Sequence, residues 1–151
     1  MNRKNDTKAK QAFVNELKTR GYENVEIVAA PSDIIARKNG EEYYFEIKMT
    51  HQQKKYFGAA TLTEWAQAIK TPDKYTFVVA IANGDDSGFK FIEFTPEEFM
   101  GYSTVPPFKM FFNIDFDNLE KKISKDSKAI KLNDDNILKM VELFEDLKKT
   151  Q

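Results

Sequence analysis

Two carboxylates and one lysine have the types and the spacing for chemistry on a phosphodiester. Asp33 stands just before a short apolar run, and Glu46 and Lys48 lie two residues apart in an aromatic-rich segment. Magnesium prefers oxygen ligands and keeps several waters, so one or two protein carboxylates can hold it, with the Ile47 carbonyl as a third oxygen. We therefore predict a site for Mg²⁺ or Mn²⁺ in which Lys48 orients the attacking water or stabilises the developing negative charge.

A β-hairpin is predicted to bring these three residues together. The dipeptide Asn39-Gly40 readily supplies the positive φ angles of a tight turn, and it separates two apolar segments. Residues two apart on a strand face the same side, so Glu46 and Lys48 should project together while their immediate neighbours point into apolar packing. Asp33, at the start of the first strand, is then expected to lie near Glu46 on the second.

Apolar periodicity and turn residues predict the elements that position this hairpin. One helix is predicted over 7–20, capped by Asp6 or Thr7, and another over 62–70, capped by Thr61 or Thr63. Helices alternating with strands indicate a mixed sheet covered by helices. Strands are predicted over 22–30, 74–82, 89–94 and 110–116, a short helix opens at 95–98, and a C-terminal helix runs from 133 or 134 to about 148.

Composition is typical of one globular domain over residues 1–151, with 41% hydrophobic and 31% charged residues. The chain has no cysteine, which excludes disulfides, thiolate zinc sites and cysteine nucleophiles, and its single histidine excludes multi-histidine metal sites. No apolar run approaches the roughly 20 residues of a membrane span, and the polar start shows no signal peptide. We therefore expect a cytoplasmic protein without a membrane partner. Because the net charge is −1, binding of a polyanion would need a local basic patch.

The segment 33–48 resembles the PD-(D/E)xK nuclease superfamily, particularly Holliday-junction resolvases and restriction-related endonuclease domains. Asp33 matches the first acid of the motif, Glu46 the second acid and Lys48 the lysine. The predicted order through Ala82, one helix, three strands, a helix and a strand, is similar to the common core of that superfamily. The resemblance implies an α/β restriction-endonuclease-like fold: a mixed sheet with an αβββαβ core flanked by helices, to which the C-terminal strand and helix are additions.

The sequence departs from the family pattern in two places. Ser32 separates Pro31 from the acid, in the half of the motif that such proteins keep loosely. Many members also carry a catalytic glutamate on the first helix, and its usual place falls near Lys10 and Gln11 here. Glu16 is the glutamate of this helix but lies closer to the turn, so Glu16 and Gln11 remain competing candidates.

Other polar residues near the motif are candidates for contacts with nucleic acid. Some members place a glutamine or glutamate on the second helix, where Glu64 and Gln67 stand, although both can also be a solvent-facing pair. His51 can touch a phosphate or assist proton transfer, or it can be an ordinary loop residue. Lys54 and Lys55 supply local positive charge for a DNA backbone. The aromatic residues are interpreted as core rather than as base-stacking platforms.

The resemblance implies a magnesium-dependent DNA endonuclease of the restriction, repair or defence type, acting as a homodimer or within a larger complex. The alternative is a catalytically inactive module of the same fold that binds nucleic acid or protein. The near-neutral charge and the missing first-helix glutamate favour that alternative. A third class is an accessory protein whose Glu-x-Lys pair is an incidental feature of a solvated strand face.

Overall fold

The computed structural model describes residues 3–85 and 87–104, together with 116, 117, 142, 145, 146 and 149. The first element is helix α1, Arg3–Thr19, which begins one turn before the predicted start. The predicted cap at Asp6 or Thr7 is wrong, because the Thr7 hydroxyl donates to the Arg3 carbonyl (3.0 Å) and both residues lie inside the helix. Gly21 follows the helix at φ +86°, a backbone angle that ends helices and favours glycine.

Three antiparallel strands follow: β1 Glu23–Ile27, β2 Ile34–Lys38 and β3 Glu41–Thr50. The turn between β2 and β3 has positive φ at both Asn39 (53°) and Gly40 (78°), as a tight two-residue hairpin turn requires. This turn fixes the register in which Lys38 pairs with Glu41 and Ile34 with Phe45. Strand β1 ends three residues before the predicted boundary, because the chain bends over residues 29–33 to enter β2 and the Val28 N–H donates to the Asp33 carbonyl (2.9 Å).

Helix α2, Leu62–Lys70, carries the chain from β3 to the parallel strand β4, Tyr75–Ala82. Thr61 caps α2 through a reciprocal capping box with Glu64, which settles the choice between Thr61 and Thr63. Strand β5, Phe89–Phe94, and the short helix α3, Pro96–Gly101, complete the order. The five strands lie side by side in chain order, from β1 to β5.

Different helices cover the two faces of the sheet. Helix α1 packs on one face, where Phe13 contacts Phe45 and Phe91 with ring centroids 5.5 and 5.0 Å apart. On the other face, Trp65 of α2 and Phe99 of α3 pack against Phe77. The predicted α/β class and the helix, three strands, helix, strand order are therefore confirmed. The buried cluster under α1 comprises Ala9, Phe13, Val14, Leu17, Ile34, Ala36, Phe45, Ile47, Met49, Val78 and Ala80.

By internal contacts the chain forms two compact units, Met1–Ser103 and Thr104–Gln151. The predicted C-terminal strand and helix fall almost entirely outside the described residues, as does most of the second unit. The single domain over 1–151 therefore stays a prediction. Among the residues that are described, none of the helices has the length and apolar character to cross a bilayer.

Candidate active site

The register of the β2–β3 hairpin places Asp33 against the middle of β3. Its backbone N–H donates to the Phe45 carbonyl (3.1 Å), and its Oδ2 accepts a hydrogen bond from the Ile47 N–H (2.8 Å). These two bonds fix the Asp33 side chain beside Glu46, which stands between Phe45 and Ile47 on β3. The adjacency follows from the Asn-Gly turn, since one residue of slippage would move every side chain of the strand to the opposite face.

Glu46 is a buried carboxyl with 7% of its surface exposed. Burial first, and then the negative charges of Asp33 and Glu64, raise the pKa of Glu46 to about 9, while Lys48 acts in the opposite direction. The negative charge of Asp33 is close enough to Glu46 to raise its pKa. Within the described part of the chain, Glu46 Oε2 is a buried acceptor without a hydrogen-bond partner. A buried acceptor in this state is costly unless a proton or a cation satisfies it.

Lys48 lies on the Glu46 side of β3 and forms an ion pair with Glu64 of α2. Glu64 is buried, so its interpretation as a solvent-facing residue is wrong. Burial alone would raise the pKa of Glu64, but the hydrogen bonds from Lys48 and Thr61 outweigh it and lower the pKa. Glu64 therefore has two functions, since the same carboxylate closes the capping box of α2 and holds the Lys48 ammonium.

An aromatic wall encloses the carboxyl pair on the β4 side. The Tyr75 hydroxyl lies 3.4 Å from the Pro31 carbonyl, and its ring stacks with that of Tyr44 at a centroid distance of 6.3 Å. Burial, followed by the negative charges of the nearby acids, raises the pKa of Tyr75 above its ordinary value. Such a wall limits access of water, so the charges of the site interact more strongly than they would in solvent.

The structure adds Lys10 of α1 to the site, a residue that the sequence did not single out. Its ammonium lies 2.9 Å from Asp33 Oδ1 and 3.1 Å from Asp6 Oδ2. Burial would lower the pKa of Lys10, but the hydrogen bonds that Lys10 donates to Asp33 and Asp6 outweigh it and raise the pKa. The i,i+4 spacing of Asp6 and Lys10 was visible in the sequence. The contact with Asp33 was not, because it depends on how α1 docks against the sheet.

The two first-helix candidates lie elsewhere on α1. The Glu16 carboxylate accepts a hydrogen bond from Arg20 Nε (3.2 Å). Arg20 also forms a bidentate ion pair with Glu93 of β5, with both N–O distances at 2.8 Å. Gln11 donates to Asn15 one turn further along the helix (3.4 Å). These contacts hold the end of α1 on the sheet, and the structure does not bring Glu16 or Gln11 to the carboxyl pair.

The nucleic-acid candidates follow the site in the chain. His51 comes directly after β3, with its Nε2 3.5 Å from the Asn5 side-chain amide. Gln67 donates to the Thr71 hydroxyl at the end of α2 (3.0 Å). Lys54 and Lys55 are exposed in the segment between β3 and α2. Contacts of these four residues with nucleic acid stay predictions.

The segment 51–60, here called the β3–α2 loop, presents an exposed aromatic residue. Phe57 is fully exposed, so its interpretation as core is wrong, whereas Trp65 is buried as expected. The loop is anchored at its base by Gln53, whose side-chain amide donates to the Ala82 carbonyl at the end of β4 (2.8 Å). The strand before the loop carries Lys48 and the helix after it carries Glu64. Because these two residues form an ion pair, both ends of the loop lie near the site.

Asp33 and Glu46 fit a divalent cation by one observation, the buried and unsatisfied Glu46 Oε2. Among the described residues no group of three or more His, Asp or Glu side chains can hold a metal ion, so this pair would have to suffice. Magnesium accepts such a set because water fills the remaining positions. Asp33 Oδ1 already contacts Lys10, and the Ile47 carbonyl as a third ligand stays a prediction.

Comparison with known proteins identifies one family. The family described as "Protein NO VEIN, C-terminal" matches residues 6–92. This range includes most of α1, most of the sheet and the cluster formed by Lys10, Asp33, Glu46, Lys48 and Glu64. No curated protein and no solved structure was found to match the chain.

Proposed function

The chain belongs to the family described as "Protein NO VEIN, C-terminal", and we propose that it is a metal-dependent nuclease of the PD-(D/E)xK type that hydrolyses phosphodiester bonds in DNA. The observation that carries the proposal is the buried Glu46 Oε2, which lacks a partner among the described residues and lies beside Asp33. Lys48, on the same side of the strand, supplies the third group of the motif. The fold around them has the element order that the resemblance implies.

Each residue of the cluster would have a separate role in hydrolysis. A divalent cation bound by Asp33 and Glu46 would supply Lewis acidity toward the phosphate and a more acidic bound water. Attack by water forms one P–O bond and breaks the bond to the leaving sugar oxygen, which takes up a proton. Lys48, held in place by Glu64, provides positive charge where negative charge develops on the phosphate. The Tyr75 wall keeps bulk water from the carboxyls.

A second candidate is a nuclease-fold module that binds nucleic acid or protein without cutting. One observation favours it: the Lys10 ammonium contacts Asp33 Oδ1 and already supplies positive charge to the carboxylate that a cation would share. In that case the ion pair would be a permanent part of the fold, and the cluster would have lost its cation. The basic and aromatic β3–α2 loop would then serve binding alone.

A cleavage assay separates these candidates. The full chain is incubated with supercoiled, linear, single-stranded and branched DNA in Mg²⁺, Mn²⁺ or EDTA. We expect metal-dependent cleavage by the wild type and a loss of at least about a hundredfold in Asp33→Asn and Glu46→Gln, which remove the charges that hold the cation. Glu97→Gln, an exposed change in α3, is the matched control and should cut like the wild type.

The remaining outcomes are equally informative. Salt-dependent DNA binding without cleavage in either metal would favour the binding module. Protein that neither binds nor cuts any of these DNA forms at low salt would overturn both candidates, and the likeness would then be one of fold alone.

A further inference from the structure

We propose that the Lys10 ammonium competes with the divalent ion for Asp33. When that ion binds, Lys10 leaves Asp33 and remains paired with Asp6 alone. The inference rests on the proposed function, because it concerns the affinity of the same site. It goes further in assigning control of metal occupancy to α1, an element that contributes no carboxylate to the Asp33–Glu46 pair.

The contacts of Lys10 make it a bridge between two acids. Its Nζ lies 2.9 Å from Asp33 Oδ1 and 3.1 Å from Asp6 Oδ2, and all three side chains are largely shielded from solvent. Asp6 is one turn earlier on α1, so its pairing with Lys10 is set by the helix itself. Asp33 belongs to the start of β2 and reaches the same ammonium from the sheet.

Both oxygens of Asp33 already have partners. Its Oδ2 accepts from the Ile47 N–H at 2.8 Å, a bond that also fixes the register of the site. Its Oδ1 contacts the Lys10 ammonium, so a divalent ion coordinated by this carboxylate would lie close to that ammonium. Two cations on one carboxylate repel each other strongly in this partly buried setting, so binding of the ion favours withdrawal of the ammonium.

The position of Asp6 decides where Lys10 goes. A rotation of the flexible lysine side chain is enough to give up Asp33 and keep Asp6, so the ammonium remains paired when the ion arrives. Glu46 Oε2, unsatisfied within the described residues, gains the ion as a partner in the same step. Asp6 and Asp33 would then each face a positive group in both states, and the two states would differ in which cation Asp33 holds and in whether Glu46 has one.

The test measures metal affinity and not turnover. Binding of Mn²⁺ and Mg²⁺ to the full chain is followed by isothermal titration calorimetry. Lys10→Met should bind on the order of tenfold more tightly than the wild type, because no cation has to leave Asp33. Asp6→Asn should bind more weakly, by about threefold, because Lys10 then has Asp33 as its remaining carboxylate partner.

Two further variants control for charge and for helix content. Lys10→Arg keeps a cation on Asp33 and should bind as weakly as the wild type. Lys8→Met removes an exposed lysine from the same helix and should leave affinity unchanged. Metal-free circular dichroism verifies that α1 is retained in each variant, and the opposite sign expected for Lys10→Met and Asp6→Asn cannot arise from a general loss of structure.

The outcomes separate this inference from the proposed function. Equal affinity in the wild type and Lys10→Met would overturn the competition while leaving the metal site intact. Tighter binding of the metal by Asp6→Asn would overturn the role of Asp6 as the partner that Lys10 keeps. A lack of metal binding by the wild type and by Lys10→Met alike would overturn the metal site and the inference together. Binding by Lys10→Met but not by the wild type would support the competition in its strongest form.

Discussion

At the scale of single residues, Glu46 sets how the stability of the protein without metal depends on pH. Its pKa is raised from 4.5 to about 9 on folding, so the folded state keeps a proton that the unfolded chain releases. This contribution is fully present below about pH 4.5 and is lost as pH rises toward about 9, by at most about 1.4 kcal/mol per pH unit. The stability of the metal-free wild type should therefore decline over that range.

Glu46→Gln tests this dependence directly. The glutamine amide can donate to Asp33 as a protonated Glu46 would, but it does not titrate, so the variant should lack this decline. In EDTA we expect Glu46→Gln to be more stable than the wild type at pH 8, with the difference narrowing toward pH 5. Urea unfolding at three pH values measures it, with Glu97→Gln as control. A difference that stays constant with pH would show that Glu46 does not hold this proton.

The Lys48–Glu64 pair has a structural role, and the proposed function gives it a catalytic one, which two substitutions can separate. Lys48→Met leaves the Glu64 carboxylate buried without its ammonium, so we expect a loss of about 3 kcal/mol in the free energy of unfolding. Adding Glu64→Gln removes that charge but keeps a capping-box side chain at the start of α2, so most of the stability should return. Urea unfolding follows the recovery.

Cleavage should behave differently from stability in the same series. The double variant should remain inactive on DNA, because the positive charge beside the phosphate is still missing. Glu64→Gln alone retains Lys48 but removes the carboxylate that holds it, so it should cut more than the double variant and less than the wild type. If the double variant regained both stability and cleavage, Lys48 would act only by neutralising Glu64.

The residues of the site differ in how far the sequence could reveal them. The pairing of Asp33 with Glu46 was predictable because both lie on one hairpin, whose register a single Asn-Gly turn determines. Lys10 and the ion pair of Glu64 were not, because they belong to helices that reach the hairpin only through tertiary packing. Local patterns give the period of such a helix but not the neighbour that each polar side chain meets.

At the scale of elements, the described helices and strands follow their local signals closely. The boundaries of α2 and β5 agree with prediction, because a capping box and a turn of Asn and Gly mark them. The start of α1 and the end of β1 differ from prediction. A side-chain hydrogen bond lies within the extra first turn of α1, and the chain bends over residues 29–33 to enter β2. The aromatic content concealed the exposure of Phe57 in the β3–α2 loop, since composition cannot distinguish an exposed phenylalanine from a core one.

The β3–α2 loop yields a prediction about the form of DNA that is bound. Phe57 is fully exposed and follows Lys54 and Lys55, an arrangement that suits stacking on an unpaired base beside a neutralised backbone. Phe57→Ala should weaken binding to single-stranded or branched DNA by about tenfold and binding to plain duplex much less. Fluorescence anisotropy in EDTA measures both affinities without cleavage.

Salt dependence distinguishes the aromatic contact from the ionic ones. Lys54→Ala and Lys55→Ala should each reduce the slope of log affinity against log salt by about one, whereas Phe57→Ala should leave the slope unchanged. Tyr102→Ala removes an exposed aromatic residue from outside the loop and is the control. Equal losses on single-stranded and duplex DNA in Phe57→Ala would contradict stacking on unpaired bases.

At the scale of the whole molecule, the cluster and the family match fall in the same part of the chain. The match ends at residue 92, and the cluster, its helices and all five strands lie within the first compact unit, Met1–Ser103. Composition and length describe the chain as a whole and favour one domain. They carry no information about which residues contact one another in the folded protein. The net charge of −1 likewise describes the average of the chain and not the charge at the site.

The last prediction is that the first unit carries the site by itself. A fragment of residues 1–104 contains each hydrogen bond and ion pair described for the cluster, so it should unfold cooperatively and bind Mn²⁺ within about threefold of the full chain. A fragment of residues 1–82 is the matched control. It lacks β5, which pairs along the whole inner part of β4 and supplies Phe91 against Phe13, and it should not fold. Circular dichroism melts and calorimetric titration measure both fragments. If the 1–104 fragment failed to fold while the full chain folded, residues 105–151 would belong to the same folding unit, and the prediction of one domain over the whole chain would gain its support.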